Sequence, residues 1–375
     1  PRRGEQVMLE YYFPNEAAEP LLWHPVLFAY TLLVSGADLL ILAALAYLSG
    51  SLRRAIPLMT MLGIAFFAVV LAGPLADLRS PQRAYFIFAN PHIVPTSTNP
   101  GISLIAFQSI AWLIALTLSA LFALFTFSYY SHQASLSSTG FKRSLYRFFS
   151  LGVTTAEKYG TLEKIAKVIA VLMLPFLVLW GIYPSSMFLM QTWNPAWRSW
   201  ALLPVTYFAD TFVVATALFM LVYFFWRYRA LEREVVVPVL KIHAAGSISV
   251  AALTALQMAV WWFWSPSTAE MVTPITPLMY VVITLLMLSF SLSFVAIRYH
   301  AAILAVSLVA MAGTFTNKWN IIVNAQLISK TGLAFLEAEL EASWILETIS
   351  PVALGVVVFV TLSFLFPLEV SEGGK

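Results

Sequence analysis

The feature that most constrains this 375-residue chain is a series of nine long apolar runs. A helix needs about 20 residues to cross the roughly 30 Å hydrocarbon core of a bilayer. Runs of this length satisfy their backbone hydrogen bonds in lipid only as helices. The predicted spans cover residues 25–48, 56–75, 102–129, 168–187, 200–226, 244–264, 278–297, 301–319 and 349–366. The sequence therefore predicts an all-α integral membrane protein with nine transmembrane helices.

Composition supports this class of protein and excludes others. Hydrophobic residues make up 60% of the chain and charged residues 10%, whereas a soluble domain has about 25% charged residues. Too few charges are present to cover a water-soluble surface. The net charge of +3 is small, and the basic residues lie mostly between the spans. We therefore expect a lipid membrane as a partner and no nucleic acid.

Cysteine and histidine usage limits the redox groups that the chain itself can hold. The chain contains no cysteine, so it has no thiolate ligands for an iron–sulfur cluster. The five histidines are expected to lie outside the middle of the apolar runs, which argues against a haem held deep between helices; they are His24, His92, His132, His243 and His300. We expect no haem, iron–sulfur cluster or other metal site in this chain.

Lysine and arginine are distributed unevenly between the two sides that the spans define. The richer side follows the first, third, fifth and seventh spans, and by the positive-inside rule it is cytoplasmic. This orientation places the N-terminus outside and the C-terminus inside a prokaryotic cell membrane. Residues 131–163, on the richer side, mix aromatic and basic side chains. They fit either an amphipathic surface segment or an ordinary solvated loop.

A weak internal repeat relates the first span to the fifth. The first contains YTLLVSGADLLILAAL and the fifth VTYFADTFVVATALF, and three further spans follow each of them. This repeat predicts two four-helix bundles and a ninth, C-terminal helix. The corresponding division is an N-terminal segment at 1–23, a first bundle at 24–187, a second bundle at 188–325, and a final loop, helix and C-terminus at 326–375.

Each repeat carries one carboxylate within its apolar run, Asp38 or Asp210. A carboxylate in the membrane interior is costly unless it is paired or hydrated, so both are candidates for a proton pathway. The competing interpretation is a protonated acid that hydrogen-bonds to a nearby hydroxyl such as Ser35 or Thr206. Lys318 lies near the outer end of the eighth predicted span, where we expect it to reach the interface as an anchor.

Four stretches resemble a known family in the correct order. The loop after the second span reads GPLADLRSPQRAYFIFANPHIVPTSTNPG, with a D-L-x-x-P-x-R spacing, an aromatic run and an Asn-Pro pair. It resembles the membrane subunits of the polysulfide reductase, or NrfD-like, family. LLWHPVLFAYTLLVSGA and WGIYPSSMFLMQTWNPAWRSWALLPVTYF are similar to that family's first helix and its fourth-to-fifth connection. TNKWNIIVNAQLISKTG with LETISPVALGVV resembles the C-terminal part of the longer, hydrogenase-linked and sulfite-linked members.

The resemblance implies a division of labour between subunits. Such a chain binds an exchangeable quinone, of the menaquinone type or another, and exchanges electrons with a ferredoxin-type iron–sulfur subunit on the outer face. That partner connects to a molybdopterin or nickel–iron catalytic subunit. The chain would then be the quinone-reactive subunit of a respiratory oxidoreductase complex without a catalytic redox centre of its own, and proton translocation could accompany the reaction.

The resemblance also implies where the quinone binds. His24 and Tyr183 are expected at the outer ends of the first and fourth spans, with Trp23 beside them. Asp77 and Arg83 are expected to form the wall toward the iron–sulfur partner. The competing interpretation makes the first two residues interfacial anchors and the last two a surface ion pair. No catalytic residue or metal ligand is predicted in this chain.

Two departures from the family pattern concern the details of the quinone pocket. Lys318 stands where the family typically has an Arg in its eighth helix, and Leu21 stands where some members have Asn. Two other functions compete with the quinone interpretation. A secondary transporter would explain the repeat and the membrane carboxylates, and a purely structural membrane anchor would explain the spans alone. The direction of electron flow and the terminal substrate stay open, with polysulfide, sulfur, tetrathionate, hydrogen and sulfite as the alternatives.

Overall fold

The computed structural model describes most of the chain and shows an all-helical protein. The described residues are 22–23, 26–77, 81–96, 101–191, 193–199, 202–227, 231–264, 266–329, 334–337 and 343–368. Within these ranges the only β pairing is a single bridge between Ile328 and Phe335. The predicted fold class is confirmed.

Fourteen α-helices follow one another along the described chain. They are α1 Val26–Phe28, α2 Ser35–Ser49, α3 Ile56–Ala68, α4 Ala72–Asp77, α5 Phe86–Ala89, α6 Leu104–Ser137, α7 Gly140–Phe149, α8 Ala156–Leu189, α9 Leu202–Trp226, α10 Arg233–Trp264, α11 Pro266–Val272, α12 Thr276–Arg298, α13 Ala302–Ile322 and α14 Ser343–Leu365. A π-helical turn, Ala29–Leu33, separates α1 from α2.

Eight helical segments of the described chain are long and apolar enough to cross a membrane. They are Tyr30–Ser49, Ile56–Leu75, Leu104–Ser137, Ala156–Leu189, Leu202–Trp226, Arg233–Phe263, Ser267–Arg298 and Trp344–Leu365. The chain is therefore a multi-pass membrane protein. The predicted number of nine spans is not confirmed, because the eighth predicted run forms α13, whose last turns carry polar residues such as Asn317, Lys318 and Asn320.

The helices of the first half pack closely through small residues. In this half α2 packs on α3 and α8, α6 packs on α8, and α14 returns from the far end of the chain to pack on α3. A Cβ atom added to Gly36 would lie 2.6 Å from the carbonyl oxygen of Gly63, so the two backbones cross in close contact. Membrane helices that approach this closely require small residues at the crossing.

The second half is built around α12, which packs on α10 and α13, while α9 contacts both α10 and α13. Helix α9 also packs on α2 and α8 of the first half. The two helices of the predicted repeat, α2 and α9, therefore face each other where the halves meet. The exact division of the chain into domains stays a prediction.

The segment between α6 and α8 is helical rather than an irregular loop. Helix α6 continues to Ser137, α7 covers Gly140–Phe149, and α8 begins at Ala156. Within α7 the side chains of Phe141 and Phe148 are 71% and 74% exposed, while Tyr146 is buried. This arrangement favours the amphipathic interpretation over the solvated loop.

One expectation about the histidines was wrong. His243 is fully buried, and its ring nitrogens lie 2.8 Å from Thr216 Oγ1 and 3.0 Å from Ser289 Oγ. Because α10 begins at Arg233, His243 lies about 15 Å along the helix at 1.5 Å per residue. The polar residues that precede it in the sequence belong to the span rather than to a loop.

Candidate functional site: an aromatic cavity and a buried ion pair

A cavity of about 520 Å³ opens among α1, α4, α6, α8 and the segment around α5. We call it the aromatic cavity. Its lining residues are mainly apolar and aromatic; they are Trp23, Val26, Tyr30, Leu71, Pro74, Leu75, Ala84, Tyr85, Ile87, Phe88, Ile105, Gln108, Ser109, Trp180, Tyr183, Met187 and Phe188. A mostly apolar hollow of this size with a few polar groups is typical of sites for small organic ligands.

The structure brings Trp23 and Tyr183 to this one cavity, although 160 positions separate them in the sequence. Trp23 contacts Phe188, with ring centroids 6.0 Å apart, and Tyr183 contacts Trp180 at 5.5 Å. Trp180, Tyr183 and Phe188 all belong to α8. Their helical spacing places the three rings on the side of α8 that faces the cavity.

Of the other three predicted site residues, only Arg83 has a described side chain. His24 lies outside the described residues, and so does the side chain of Asp77, whose backbone ends α4. Arg83 ends a 3₁₀ turn and is exposed. The next two residues, Ala84 and Tyr85, line the cavity, and Arg83 is not among the lining residues. Its role in a wall toward a partner stays a prediction.

Two polar groups of the aromatic cavity were missed by sequence reasoning. The amide nitrogen of Gln108 and the indole nitrogen of Trp180 are buried and have no hydrogen-bond partner among the described residues. Buried donors in native proteins are nearly always paired, so these two unpaired nitrogens, on residues that line the cavity, are candidates for contact with a bound ligand. A lone amide in the apolar run at 102–129 was the signal that could have revealed Gln108.

Tyr30 reaches the cavity from an unusual backbone. It lies in the π-helical turn Ala29–Leu33, is buried, and places its hydroxyl 3.5 Å from the sulfur of Met187. Single π-helical turns inside helices are frequent at functional sites because they change the direction of side chains. This turn directs Tyr30 between α1 and α8.

The second feature of the interior is an ion pair between α9 and α13. The Nζ atom of Lys318 lies 3.1 Å from Oδ2 of Asp210, and both side chains are fully buried. Asn317 donates a hydrogen bond to the same oxygen at 3.1 Å, and Lys318 also donates to the carbonyl of Tyr207 at 3.4 Å. The expectation that Lys318 anchors the helix at the interface was wrong, because its partner Asp210 draws the ammonium group inward.

Asp38 lies on α2, across the contact between α2 and α9. Its carboxylate is fully buried, and neither oxygen has a hydrogen-bond partner at bonding distance among the described residues. Lys318 is close enough to act on it electrostatically, as it does on Asp210. Both acidic residues of the repeat thus interact electrostatically with Lys318 where the halves of the molecule meet.

Neither of the two hydroxyls named for the competing interpretation, Ser35 or Thr206, holds an acidic side chain in this structure. Ser35 donates its hydroxyl to the carbonyl of Leu32 at 2.6 Å rather than to Asp38. The hydroxyl of Thr206 is buried without a partner among the described residues, so it does not hold Asp210. Gly181 makes room for Asp38, since a Cβ atom there would lie 3.2 Å from Oδ1.

A small cavity with several polar residues in a mainly apolar wall adjoins the ion pair. It measures about 20 Å³ and is lined by Asn317 together with Thr206, Thr254 and Trp261. Each of the last three has a buried polar atom without a partner in the described part of the chain. A space of this volume holds about one water molecule where polar groups are available to bind it, and Asn317 connects it to Asp210.

Comparison with known proteins gives the family. No family model matches the chain. A tetrathionate reductase subunit of Archaeoglobus fulgidus, the one designated C, is 42% identical over 363 residues, which is 96% of this chain and 96% of that protein. The chain belongs to this family of tetrathionate reductase subunits. Such identity over nearly the full length requires the same fold, so the helices that carry both buried features belong to the shared architecture.

Membership of this family agrees with part of what the resemblance implied. The resemblance allowed a subunit of a sulfur-compound reductase, and the relative is named as a subunit of a tetrathionate reductase. The narrower expectation of a longer hydrogenase-linked or sulfite-linked member is not confirmed.

Proposed function

We propose that this chain is the quinone-reactive membrane subunit of a sulfur-compound reductase complex, with tetrathionate as the favoured terminal substrate. The observation that carries the proposal is the aromatic cavity with its two unpaired buried donors, found in a relative of a tetrathionate reductase subunit. The chain would exchange electrons between the membrane quinone pool and an iron–sulfur partner.

The chemistry of the aromatic cavity fits a quinone. A quinone has two carbonyl oxygens and exchanges two electrons and two protons. Gln108 and Trp180 offer N–H donors to a carbonyl oxygen, and Tyr183 offers a hydroxyl that can both donate and accept. The rings of Trp23 and Phe188 are tilted by 36° to each other, and each supplies an apolar face against which a quinone ring can stack.

The electrons must leave the cavity through another protein. The chain has no cysteine, so a thiolate-bound cluster belongs to a partner protein. The relative is named as one subunit of a reductase, which supports such a complex. A ferredoxin-type protein on the outer face, connected to a molybdopterin or nickel–iron catalytic subunit, would receive the electrons past Asp77 and Arg83. In this assembly His24 is the further candidate for a quinone contact.

Protons would use the group formed by Asp38, Asp210 and Lys318. These three side chains lie in the contact between the two helical halves, and the small cavity lined by Asn317 is connected to Asp210 through that residue. When one of the two carboxylates gains a proton, the Lys318 ammonium can pair with the other carboxylate instead. This change offers a way to couple quinone turnover to proton movement across the membrane.

The test is an assay of the purified complex with a quinol analogue and, separately, with a reduced dye that delivers electrons directly to the catalytic subunit. Tyr183→Phe is expected to lower the quinol-dependent rate and to leave the dye-dependent rate unchanged. Tyr280→Phe is the matched control, because Tyr280 is 60% exposed on α12, away from the cavity. A chain that purifies alone and transports a solute in liposomes would replace this proposal with the transporter interpretation.

A further inference from the structure

A second large cavity lies at the opposite ends of the helices, on the side rich in lysine and arginine. It measures about 560 Å³. We call it the basic cavity because two arginines line it. Its charged and tyrosine lining residues are Arg54, Tyr130, Tyr146, Tyr223, Arg227 and Glu232. They come from both halves of the molecule, since Arg54 lies between α2 and α3, whereas Arg227 follows α9 and Glu232 precedes α10.

The charges of the basic cavity favour an anion. Two guanidinium groups line it against one carboxylate. Arg54 forms an ion pair with Glu232 at 3.3 Å, and the guanidinium of Arg227 lies 5.0 Å from the ring centroid of Trp226. A guanidinium has five N–H donors, so an arginine that already contacts a protein group can still bind an oxyanion. Arginine pairs especially well with phosphate because it can form two parallel hydrogen bonds.

Helix α7 shows the depth of this cavity in the membrane. Phe141 and Phe148 are seven positions apart, on one face of the helix, and both are largely exposed. Lys142 lies 4.8 Å from the ring centroid of Phe364 at the end of α14. A helix with exposed aromatic rings and basic residues lies in the interface between headgroups and acyl chains. Since Tyr146 of α7 lines the cavity, the cavity is at headgroup level.

We propose that the basic cavity binds the phosphate of an anionic phospholipid. Phosphate is the chemistry that two arginines and the surrounding tyrosine hydroxyls recognise, and basic pockets between helices at this side of a membrane are suited to anionic headgroups. The apolar side chains of Trp226 and Leu368 in the lining fit the glycerol and upper acyl region of a lipid. A free phosphate ion would gain nothing from them.

The bound lipid would join the two halves of the molecule. The ion pair between Arg54 and Glu232 already spans the loops of the two halves. A phosphate between Arg54 and Arg227 would add charge-assisted hydrogen bonds across the same gap. The lipid would therefore stabilise the contact between α2 and α9, the helices that carry Asp38 and Asp210. Lipid binding here does not depend on quinone binding.

The experiment places the delipidated complex in nanodiscs of phosphatidylglycerol or of phosphatidylcholine and measures thermal unfolding and lipid retention by native mass spectrometry. Phosphatidylglycerol is expected to be retained and to raise the unfolding temperature more than phosphatidylcholine. Arg227→Gln should weaken retention by about tenfold or more, the effect of losing charge-assisted hydrogen bonds. Arg143→Gln is the control, because Arg143 is exposed on α7 and does not line the cavity.

Three results would overturn the proposal. They are equal stabilisation by both lipids, unchanged retention in Arg227→Gln, and competition by inorganic phosphate that removes the lipid effect and reproduces the stabilisation. The last would assign the site to a soluble anion. If Arg227→Gln does not accumulate, Arg227→Lys keeps the charge but loses the paired hydrogen bonds. It should then retain less phosphatidylglycerol than the unaltered complex, and equal retention counts against the proposal.

Discussion

Lys318 and Asp210 form an ion pair with 3.1 Å between Nζ and Oδ2 and no solvent exposure of either side chain. The ammonium lies 3.0 Å from the ring centroid of Tyr207, which adds a cation–π contact. Removing both charges from water is costly, and good geometry with further hydrogen bonds is required to offset that cost. Asn317 and the carbonyl of Tyr207 supply those bonds.

Loss of one partner of this pair should destabilise the protein strongly. In Lys318→Met the carboxylate of Asp210 stays buried without its cation, which costs about 3–5 kcal/mol in comparable cases. The measurement is the unfolding free energy in detergent, followed by tryptophan fluorescence. The control is Lys167→Met, because Lys167 pairs with Glu163 at 2.8 Å but is 48% exposed, and such pairs contribute about 0.5 kcal/mol or less.

The double variant Lys318→Met with Asp210→Asn tests whether the loss comes from the uncompensated charge. It should recover much of the stability that Lys318→Met loses, since both charges are removed together. Equal stability of Lys318→Met and Lys167→Met would contradict the buried pair.

The contrast between Lys318 and Trp23 shows which parts of the site could be predicted from the sequence. Apolar runs and family motifs placed Trp23 and Tyr183 at the ends of two spans that meet, and both line the aromatic cavity. Lys318 was misplaced because a position near the end of a run suits an interfacial anchor equally well. Its partner Asp210 lies 108 positions earlier along the chain, and the crossing of α9 and α13 that joins them is a tertiary property.

Helix length explains what else the sequence could not show. Several helices extend well beyond the spans predicted for them; α6 and α8 each have 34 residues. Residues such as His243, which precede a predicted span at 244–264, therefore lie inside a helix. Gln108 is a lone amide inside a predicted span, which is a sequence signal, but its missing partner and its place at the aromatic cavity are visible only in three dimensions.

Gln108 should contribute directly to quinone binding. Gln108→Leu keeps the approximate size of the side chain but removes the buried amide donor, so we expect the KM for a quinol analogue to rise by up to about tenfold, the effect of one hydrogen bond. The measurement is steady-state quinol oxidation by the purified complex. Activity with a reduced dye serves as the control for assembly. An unchanged KM with full activity would exclude Gln108 from the site.

Asp38 and Asp210 should affect proton coupling. Asp38→Asn and Asp210→Asn keep the size of each side chain but cannot take up a proton, so proton movement per electron should fall in proteoliposomes that carry the complex. The measurement is a pH-sensitive dye trapped inside the vesicles during quinol turnover. Because Lys318 and Asn317 hold Asp210 at 3.1 Å each, whereas no partner in the described chain lies at bonding distance from Asp38, Asp38→Asn should lose coupling with less instability than Asp210→Asn. Unchanged coupling and turnover in both variants would leave these carboxylates a structural role only.

The orientation of the molecule can be tested with introduced cysteines, since the chain has none of its own. Asn90→Cys lies in the exposed segment after α5, and Ser144→Cys lies on the exposed face of α7. By the positive-inside rule an impermeant thiol reagent should label Asn90→Cys from outside and Ser144→Cys only after the membrane is opened. The reverse pattern would move the proposed iron–sulfur partner to the cytoplasmic side.

Gly181 should be the least replaceable glycine of α8, because it lies between Asp38 and a ring of α9. A Cβ atom at Gly181 would be 2.5 Å from Cδ2 of Phe208 and 3.2 Å from Oδ1 of Asp38. Gly181→Ala must therefore displace the Phe208 ring or the helix, and overpacking of this kind costs about 1–3 kcal/mol. Unfolding in detergent measures the cost, and proton coupling in proteoliposomes measures the shift imposed on Asp38.

Gly160 provides a control on the same helix. No atom lies within 4 Å of a Cβ added there, so Gly160→Ala should stabilise α8 by about 0.5–1 kcal/mol through the lower conformational freedom of alanine. Opposite signs in the two variants would separate packing at the contact of α8 with α9 from helix propensity. A Gly181→Ala variant as stable and as well coupled as Gly160→Ala would show that this contact tolerates expansion, and Asp38 would then not depend on a fixed gap between α8 and α9.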